Sequence, residues 1–256
     1  MKLLSKKITR NIFVKKVRNF FGYKPIYVDI GDIKMPSSVS DSFCWRTDNS
    51  YKTIFRFSNI PYLFCKIKHS SIDIVFLNKN NEEIKKISLN EINLSNEIRI
   101  DKYFLGGIED YGTFYIYHKI KDNLQEKTIL SNRCYLGFSY NENLYSFVHG
   151  NLLSSYRNLS GSSRKTDIIK TSFLSNQKYR IQNYFDNLDK SELFFANPTS
   201  KKISFLINKE KYFLNKGCSI LIDVTKYKEI DITSNCYFMR PVIFNYKKNF
   251  MDVYHG

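Results

Sequence analysis

Residues 138–150, FSYNENLYSFVHG, recur near the end of the sequence as residues 244–256, FNYKKNFMDVYHG. Phe, Tyr, Asn, His and Gly coincide at five of the thirteen positions, at a constant offset of 106. Each copy follows a Ser-Asn pair and a cysteine, which are Ser131-Asn132 before Cys134, and Ser234-Asn235 before Cys236. A recurrence of this kind predicts an internal duplication of one structural unit.

The pattern inside each copy predicts a β-hairpin. In the first copy a strand ends at Tyr140, Asn143 takes a left-handed loop position, and a return strand closes on His149. The matching residues of the second copy are Tyr246, Asn249 and His255. We therefore expect each half of the chain to be one β-sandwich whose last hairpin ends in His-Gly.

The sequence around these hairpins is typical of short strands. Runs rich in Ile, Phe, Tyr and Val are bounded by Asn, Ser, Gly and Asp, which favour turns. The predicted strands are 26–30, 51–57, 63–67, 72–77, 84–89, 98–100 and 113–120 in the first half, and 192–197, 203–208, 211–214, 219–224, 230–233, 237–246 and 251–255 in the second. Many short strands with frequent turns indicate a sandwich or barrel rather than alternating strands and helices.

The chain divides into four predicted segments. Residues 154–178 are polar and rich in Ser and Lys, which is typical of a linker. They separate a first β-sandwich domain, 26–153, from a second one, 179–256, and a basic segment, 1–25, precedes both. The predicted fold class is all-β, with two tandem β-sandwich-like halves behind a short N-terminal amphipathic basic helix.

Composition excludes a disordered chain and locates the excess charge. Hydrophobic residues make up 43% of the sequence and aromatic residues 16%, which is too apolar for disorder. The formal net charge is +16, and residues 1–25 contain eight basic side chains and no acidic one. Half of the net charge therefore lies in a tenth of the chain, and the rest is an ordinary surplus for solubility.

The basic N-terminal segment has the period of an amphipathic helix. One face of it collects the apolar residues Phe13, Val14, Val17, Phe20 and Phe21, and the other face collects Lys15, Lys16, Arg18 and Asn19. Such a helix suits an anionic membrane surface, with Phe13, Lys15, Lys16, Phe20 and Phe21 as the predicted contact residues. The alternatives are a helix that docks its Phe face on the protein's own sheet and, as the least favoured, one that binds nucleic-acid phosphates.

Cysteine usage predicts the compartment. The cysteines are Cys44, Cys65, Cys134, Cys218 and Cys236, which are odd in number and never form a C-x-x-C pair. This spacing predicts neither a disulfide framework nor a zinc site, so we expect free buried thiols in a cytosolic protein. No apolar run is long enough for a membrane span or a signal peptide. The predicted location is cytoplasmic, with peripheral attachment to the membrane as a further expectation.

The single tryptophan lies in a cluster of polar residues that predicts a ligand site. Trp45 is followed by Arg46, Asp48 and Asn49, in a stretch with turn-forming character. Sugar recognition combines an aromatic ring that stacks on the sugar with planar groups that bind its hydroxyls. We therefore take these four residues as candidate glycan contacts. The alternative is a core tryptophan beside a hairpin turn.

A second group of candidate ligand-binding residues lies around the first predicted hairpin, and consists of Arg133, His149 and Asn151. The simpler interpretation of His149 is a hydrogen-bonded histidine at the rim of a sheet. None of the four histidines has metal-ligand spacing, and no phosphate-loop or nucleophile-elbow motif is present. We therefore expect no metal and no cofactor. If the protein is an enzyme, His149, Arg133 and Glu109 are the acid–base candidates.

Three stretches of the second half resemble small bacterial β-sandwich modules of the sensory-rhodopsin-transducer type. These stretches are Phe195-Ala-Asn-Pro-Thr-Ser-Lys-Lys-Ile-Ser-Phe, Gly217-Cys-Ser-Ile-Leu-Ile-Asp223, and Ser234-Asn235 with Arg240-Pro-Val-Ile-Phe244. The resemblance covers some 60 residues and is carried by strand–turn–strand spacing. It implies a β-sandwich used for binding or signalling rather than catalysis, and it transfers no individual site residue.

These patterns favour a non-catalytic binding or scaffold protein that recognises a glycan or a glycan-assembly partner at the cytoplasmic face of the membrane. The sandwich pattern, the basic amphipathic start and the Trp45 cluster support this hypothesis. A β-class enzyme acting on sugars is the first alternative, and a nucleic-acid-binding protein is the second. The sequence predicts no particular oligomeric state.

Overall fold

A computed structural model gives the fold. It describes residues 13–14, 16–17, 38–68, 70–120, 130–132, 134–142, 144–157, 163–166, 176–182, 188–197, 202–236, 240–248 and 250–256. The side chains are described except at residues 38–41, 64, 65, 70, 118–120, 130–132, 151–157, 163–166 and 182. The predicted strand 26–30 and the predicted membrane contacts Lys15, Phe20 and Phe21 lie outside the described residues.

Strands dominate the described part of the chain. The first half contains β1 (Ser38–Arg46), β2 (Tyr51–Ser58), β3 (Ser70–Asn78), β4 (Glu83–Leu89), β5 (Ser95–Ile100), β6 (Tyr111–Ile120), β7 (Leu130–Asn132), β8 (Tyr135–Tyr140), β9 (Ser146–His149), β10 (Asn151–Arg157) and β11 (Ser163–Thr166). The second half contains β12 (Gln177–Gln182), β13 (Lys190–Ala196), β14 (Ile203–Ile207), β15 (Glu210–Leu214), β16 (Ser219–Asp223), β17 (Glu229–Ser234), β18 (Val242–Lys247) and β19 (Phe250–His255). A short helix, α1 (Ile60–Cys65), follows β2. The all-β prediction is therefore confirmed.

Each half is a sandwich built with the same strand order. In the first half the sheet β5-β2-β8-β9 packs on the strands β1-β6-β3-β4, whose sheet continues through β10 and β11. In the second half the corresponding sheets are β16-β13-β18-β19 and β12-β17-β14-β15. Strands β12 to β17 thus take the places of β1 to β6, and the β18–β19 hairpin takes the place of β8–β9. The prediction of two tandem sandwich-like halves is confirmed.

Both predicted hairpins form, but their pairing registers differ by one residue. Tyr135 lies opposite His149 in the β8–β9 hairpin, whereas Val242 lies opposite His255 in the β18–β19 hairpin. The distance along the chain between the paired residues is therefore one residue shorter in the second hairpin. Asn143 and Asn249, the predicted left-handed residues, lie outside the described residues. Among the described residues of the two hairpins, left-handed backbone angles occur at Asn141, Glu142 and Lys248.

The difference in register sends matching side chains to different faces, because successive residues of a strand point to opposite sides of the sheet. Phe138 faces the core of its own half, but Phe244 faces away from the core of its half. The two rings meet edge to face, with their centroids 5.0 Å apart. The second sandwich therefore contacts the first through the outer face of one of its sheets.

One aromatic core joins the two halves. Its members from the first half include Phe43, Phe55, Phe76, Phe114 and Phe138. Its members from the second half lie on the outer face of β13, β18 and β19, and are Phe194, Val242, Phe244, Tyr246, Met251 and Val253. The inner face of the same sheet carries Leu193, Phe195 and Ile243 into a separate core with β14 and β17. The halves are thus packed together through shared apolar side chains.

The predicted strand at 63–67 is wrong, because this part of the chain is the helix α1 and the turn after it. The side chain of Asn59 caps the helix by accepting a hydrogen bond from the backbone N–H of Tyr62. Pro61 fits the first turn, where its missing N–H would have no helical partner. Lys66 ends the helix in the left-handed conformation. These capping residues outweigh the strand preference of the apolar run.

Part of the segment predicted as a linker, 154–178, consists of strands. Strand β10 pairs with β1 on one side and with β11 on the other. Strand β12 begins at Gln177, within the last residues of the segment. Serine and lysine side chains give these strands a polar composition, so their strand character depends on backbone pairing rather than on an apolar pattern.

Candidate functional site

Trp45 lies in the core and offers no ring face to a ligand. It is on β1 and fully buried. Its indole Nε1–H donates to the backbone carbonyl of Leu77, at 2.9 Å. Gly112, opposite Trp45 on β6, permits this close packing, because a Cβ there would lie 2.1 Å from the Leu77 carbonyl oxygen. The predicted sugar platform at Trp45 is therefore not formed.

Arg46, the next residue, is the centre of a buried ion cluster. It is fully buried, and its Nε and Nη2 donate to the two carboxylate oxygens of Asp48, at 2.9 and 2.7 Å. Its Nη1 donates to Glu192 at 2.9 Å and to the hydroxyl of Tyr246 at 3.2 Å. The guanidinium also lies 3.8 Å from the ring centre of Tyr51. The predicted ligand contacts Arg46 and Asp48 are thus occupied by a cluster that joins the two halves.

The ion cluster fixes the charge of Arg46. Burial by itself would lower the pKa of this guanidinium, but the Asp48 hydrogen bonds and the surrounding charges outweigh burial and raise it. Lys190 reaches the other carboxylate oxygen of Glu192, at 2.7 Å. Asn49 is exposed and donates to Asp48. The cluster is therefore a structural feature and not an open binding site.

The other predicted site residues fall in different places. Arg133 lies outside the described residues, and of Asn151 only the backbone is described, at the start of β10. Glu109 is exposed on the loop before β6 and pairs with Lys102 at 2.8 Å. His149 is exposed at the end of β9. Of the predicted ligand-binding residues whose side chains the structure describes, Asn49 and His149 are exposed, and Asn49 belongs to the turn beside the ion cluster.

His149 belongs to an exposed surface on the outer face of the sheet β5-β2-β8-β9. Register places Glu97, Arg56, Tyr135 and His149 directly opposite one another across its four strands. The next row on this face is Arg99, Ile54, Gly137 and Phe147. We call the exposed members of the two rows, Arg56, Glu97, Arg99, Tyr135, Phe147 and His149, the platform. Directly opposite side chains share a face and are close enough to act together.

The aromatic rings of the platform are held in place but accessible. Phe147 lies across Gly137, where a Cβ would come within 2.6 Å of the ring. The guanidinium of Arg56 lies 4.9 Å from the Phe147 ring centre. Tyr135 is 57% exposed and Phe147 is 40% exposed. The glycine therefore makes room for an aromatic ring that lies on the sheet.

Charged groups surround these rings. Arg56 Nε donates to one oxygen of Glu97 at 2.9 Å, and Arg99 Nε lies 3.3 Å from the other. These hydrogen bonds hold the pKa of Glu97 below its usual value. The ring of His149 meets the ring of Tyr135 edge to face, 6.2 Å between centroids. The platform thus combines two accessible rings with planar hydrogen-bonding groups.

An open cavity of about 330 Å³ adjoins the platform where the two halves meet. We call it the seam cavity, and its lining residues are Phe147, Val148, His149, Gly150, Arg240, Val253, Tyr254 and His255. Phe147 and His149 belong to both the platform and the cavity. A ligand of moderate size would therefore contact both surfaces at once.

His255 fixes the wall of the seam cavity. Its Nε2 lies 2.7 Å from the backbone carbonyl of His149. Because a carbonyl oxygen only accepts hydrogen bonds, Nε2 carries a proton in this contact. Burial is the main cause that lowers the pKa of His255, and the Arg240 and His149 charges act in the same direction. Arg240 Nε donates to the backbone carbonyl of Gly256 at 2.8 Å.

The N-terminal helix is described at four residues. Residues 13–14 and 16–17 are helical, and the side chains of Phe13 and Val17 are 73% and 41% exposed. Lys16 is also exposed. No helix within the described residues is long and apolar enough to cross a membrane. Within the same residues, no group of three or more metal-ligating side chains comes together.

Comparisons with known proteins add little to this site. No protein-family model matches the chain, and no curated protein matches it. Among solved structures, the chain is similar to a cupin 2 conserved barrel domain protein from Leptotrichia buccalis, with 10% identity over 79% of each chain and a TM-score of 0.20. A similarity this weak carries no functional argument. The resemblance of the second half to sensory-rhodopsin-transducer modules stays a prediction.

Proposed function

We propose that this protein is a non-catalytic binding or scaffold protein that recognises a glycan on the platform. The observation that carries the proposal is the Phe147 ring, which lies over Gly137 and stays accessible beside Arg56 and Tyr135. Aromatic rings stack on the apolar faces of sugars, and guanidinium, carboxylate and imidazole groups hydrogen-bond to sugar hydroxyls. The platform brings these groups together on a rigid sheet, which suits recognition.

The packing of the second half supports the use of this face. Its equivalent sheet face is covered, because Phe194, Val242 and Phe244 pack into the core shared with the first half. The first half presents charged and aromatic side chains at the same place, and these are accessible. The equivalent faces of the two halves therefore differ: the one in the second half is apolar and covered, and the one in the first half is open and carries both polar and aromatic groups. Such a mixed, open face suits a polar ligand that also has apolar surfaces.

We expect the platform variants Tyr135→Ala and Gly137→Ala to bind glycan more weakly than the wild type. Tyr135→Ala removes a stacking ring. Gly137→Ala leaves the Phe147 side chain in the sequence but adds a Cβ that displaces its ring from the sheet. Loss of one stacked ring corresponds to about a tenfold weaker Kd, on the scale of aromatic contacts. The measurement is binding of the full chain to an array of immobilised neutral and acidic oligosaccharides, followed by titration of the best ligand.

Phe213→Ala is the matched control for these variants. Phe213 is also an exposed phenylalanine with cations over its ring, since Lys202 and Lys211 lie 4.8 and 5.0 Å from its centre. It is on β15, away from the platform strands. We expect wild-type binding from this variant. Equal losses in all three variants, or no binding by the wild-type chain to any oligosaccharide, would contradict the proposal.

We further propose that the N-terminal helix attaches the protein to the cytoplasmic face of the membrane. The exposed side chains of Phe13, Lys16 and Val17 support this proposal. Apolar side chains on such a helix enter the boundary between headgroups and acyl chains, and lysines are attracted to anionic lipids. A binding protein held in this way would meet glycans or glycan-assembly partners at that surface.

We expect Phe13→Ser combined with Val17→Ser to abolish co-sedimentation with vesicles that contain phosphatidylserine. Burying a side chain of this size contributes about 1.5–3 kcal/mol, so losing two of them weakens binding by well over tenfold. The matched control is Phe213→Ser, which also removes an exposed phenylalanine and leaves the N-terminal segment unchanged. If the double variant pellets as the wild type does, the helix does not attach the protein to the membrane.

A further inference from the structure

We infer that the ligand of the platform is an acidic glycan, and that its carboxylate enters the seam cavity to meet Arg240 and His149. This inference rests on the proposed function and names the class of glycan. Among the described residues that line the cavity there are one arginine and two histidines, and there is no aspartate or glutamate. A negatively charged group is therefore the complement of this cavity.

Arg240 has the capacity to bind such a group. Its Nε is used by the carbonyl of Gly256, which leaves the two Nη groups of the guanidinium fork. Within the residues that the structure describes, no aspartate or glutamate side chain forms an ion pair with Arg240. Arg56 and Arg180 differ from it, because they pair with Glu97 and Asp231 respectively. An arginine that lines a cavity, and whose two Nη groups are paired with no aspartate or glutamate side chain, matches the planar geometry of a carboxylate.

His149 supplies the second contact and links the cavity to the platform. Its backbone carbonyl is held by His255, and its exposed ring stands against Tyr135. Tyr135 and His149 are direct neighbours across β8 and β9. A sugar stacked on Tyr135 and Phe147 would therefore place a ring substituent at the mouth of the cavity. A uronic acid carries its carboxylate as such a substituent.

The test is a calorimetric titration of the full chain with tri-galacturonic acid and with its methyl ester. The ester keeps the sugar rings and removes the charge. We expect the acid to bind roughly tenfold more tightly than the ester, since charge-assisted hydrogen bonds are the stronger ones. Arg240→Gln and His149→Gln should each reduce this preference, and Arg240→Lys should keep part of it because it keeps the charge. Arg180→Gln, an exposed arginine elsewhere in the second half, is the control that should change nothing.

The outcomes separate this inference from the proposed function. Equal binding of acid and ester, or an unchanged preference in both Arg240→Gln and His149→Gln, overturns the acidic-ligand inference and leaves glycan binding standing. The same holds if the protein binds neutral oligosaccharides but not the acid. Absence of binding to any oligosaccharide overturns the proposed function as well. Acid binding that Tyr135→Ala leaves as tight as in the wild type would show anion binding in the cavity without the platform, and would also contradict the inference.

Discussion

Replacing Arg46 with methionine is expected to lower the free energy of unfolding by about 3–5 kcal/mol, because the carboxylate of Asp48 would lose its cation in a largely buried place and that of Glu192 would keep only Lys190 as an ionic partner. The side chain of Glu192 is 9% exposed and that of Asp48 is 17% exposed, so water would replace little of the lost interaction. A loss of this size is a large part of the stability of an ordinary domain. The measurement is urea unfolding followed by tryptophan fluorescence, with Trp45 as the reporter.

A second variant identifies the cause of the loss. Arg46→Met combined with Asp48→Asn removes the carboxylate that Arg46→Met leaves without a cation, so it should recover part of the stability lost in Arg46→Met. The matched control is Arg180→Met, because Arg180 forms ion pairs with Asp231 and Glu229 on the surface. Exposed pairs contribute little, and we expect no measurable change in its urea midpoint. If Arg46→Met were as stable as Arg180→Met, the cluster would not hold the two halves together.

The hairpins were predicted from the sequence because their signals are local. The aromatic alternation and the polar turns of residues 138–150 and 244–256 describe two strands and a loop without reference to the rest of the chain. The pairing registers of the hairpin strands were not predicted, because a one-residue difference in pairing leaves the alternation of apolar and polar residues in the sequence almost unchanged. Because of that difference, Phe138 points into the core of the first half, whereas its counterpart Phe244 points away from the core of the second half.

The platform was missed because its parts come from different strands. Phe147 is accessible because residue 137, on the neighbouring strand, has no side chain. Arg56 and Glu97 reach the same face only through the pairing of β2 with β5 and β8. The one available signal was Gly137 itself, since an isolated glycine within a strand pattern indicates a close approach by another group. His149 was among the residues predicted to bind a ligand, whereas Tyr135 and Arg240 were not.

The Trp45 cluster was misassigned because β1 is buried on both faces at its end. Residues 42–46 are all buried, so the run shows none of the alternation by which a half-exposed strand is identified. Asp48, Asn49 and Ser50 form a turn directly after it, and their polar character indicated a loop. Burial of Arg46 has no sequence signal, because the second carboxylate that it binds, that of Glu192, lies 146 residues away.

Trp45→Ala is expected to destabilise the fold by about 3–5 kcal/mol and to leave glycan affinity unchanged in the folded protein. The change removes a large side chain from the shared core and deletes the hydrogen bond to the Leu77 carbonyl. Trp45→Phe refills most of the space, so it should lose less stability than Trp45→Ala. A loss of about 1–3 kcal/mol should remain, because the hydrogen bond to the Leu77 carbonyl is still absent. The measurement is urea unfolding followed by far-UV circular dichroism, with glycan titration below the unfolding transition.

The comparison with Tyr135→Ala makes this prediction decisive for the location of the site. Tyr135 is exposed, so its removal should weaken glycan binding and change stability by less than about 0.5 kcal/mol. Trp45→Ala should show the reverse, with lost stability and retained binding. A core residue and a binding residue are thus distinguished by two measurements on two variants. If Trp45→Ala kept its stability and lost binding, the ligand site would be at Trp45, and the platform would not be the site of recognition.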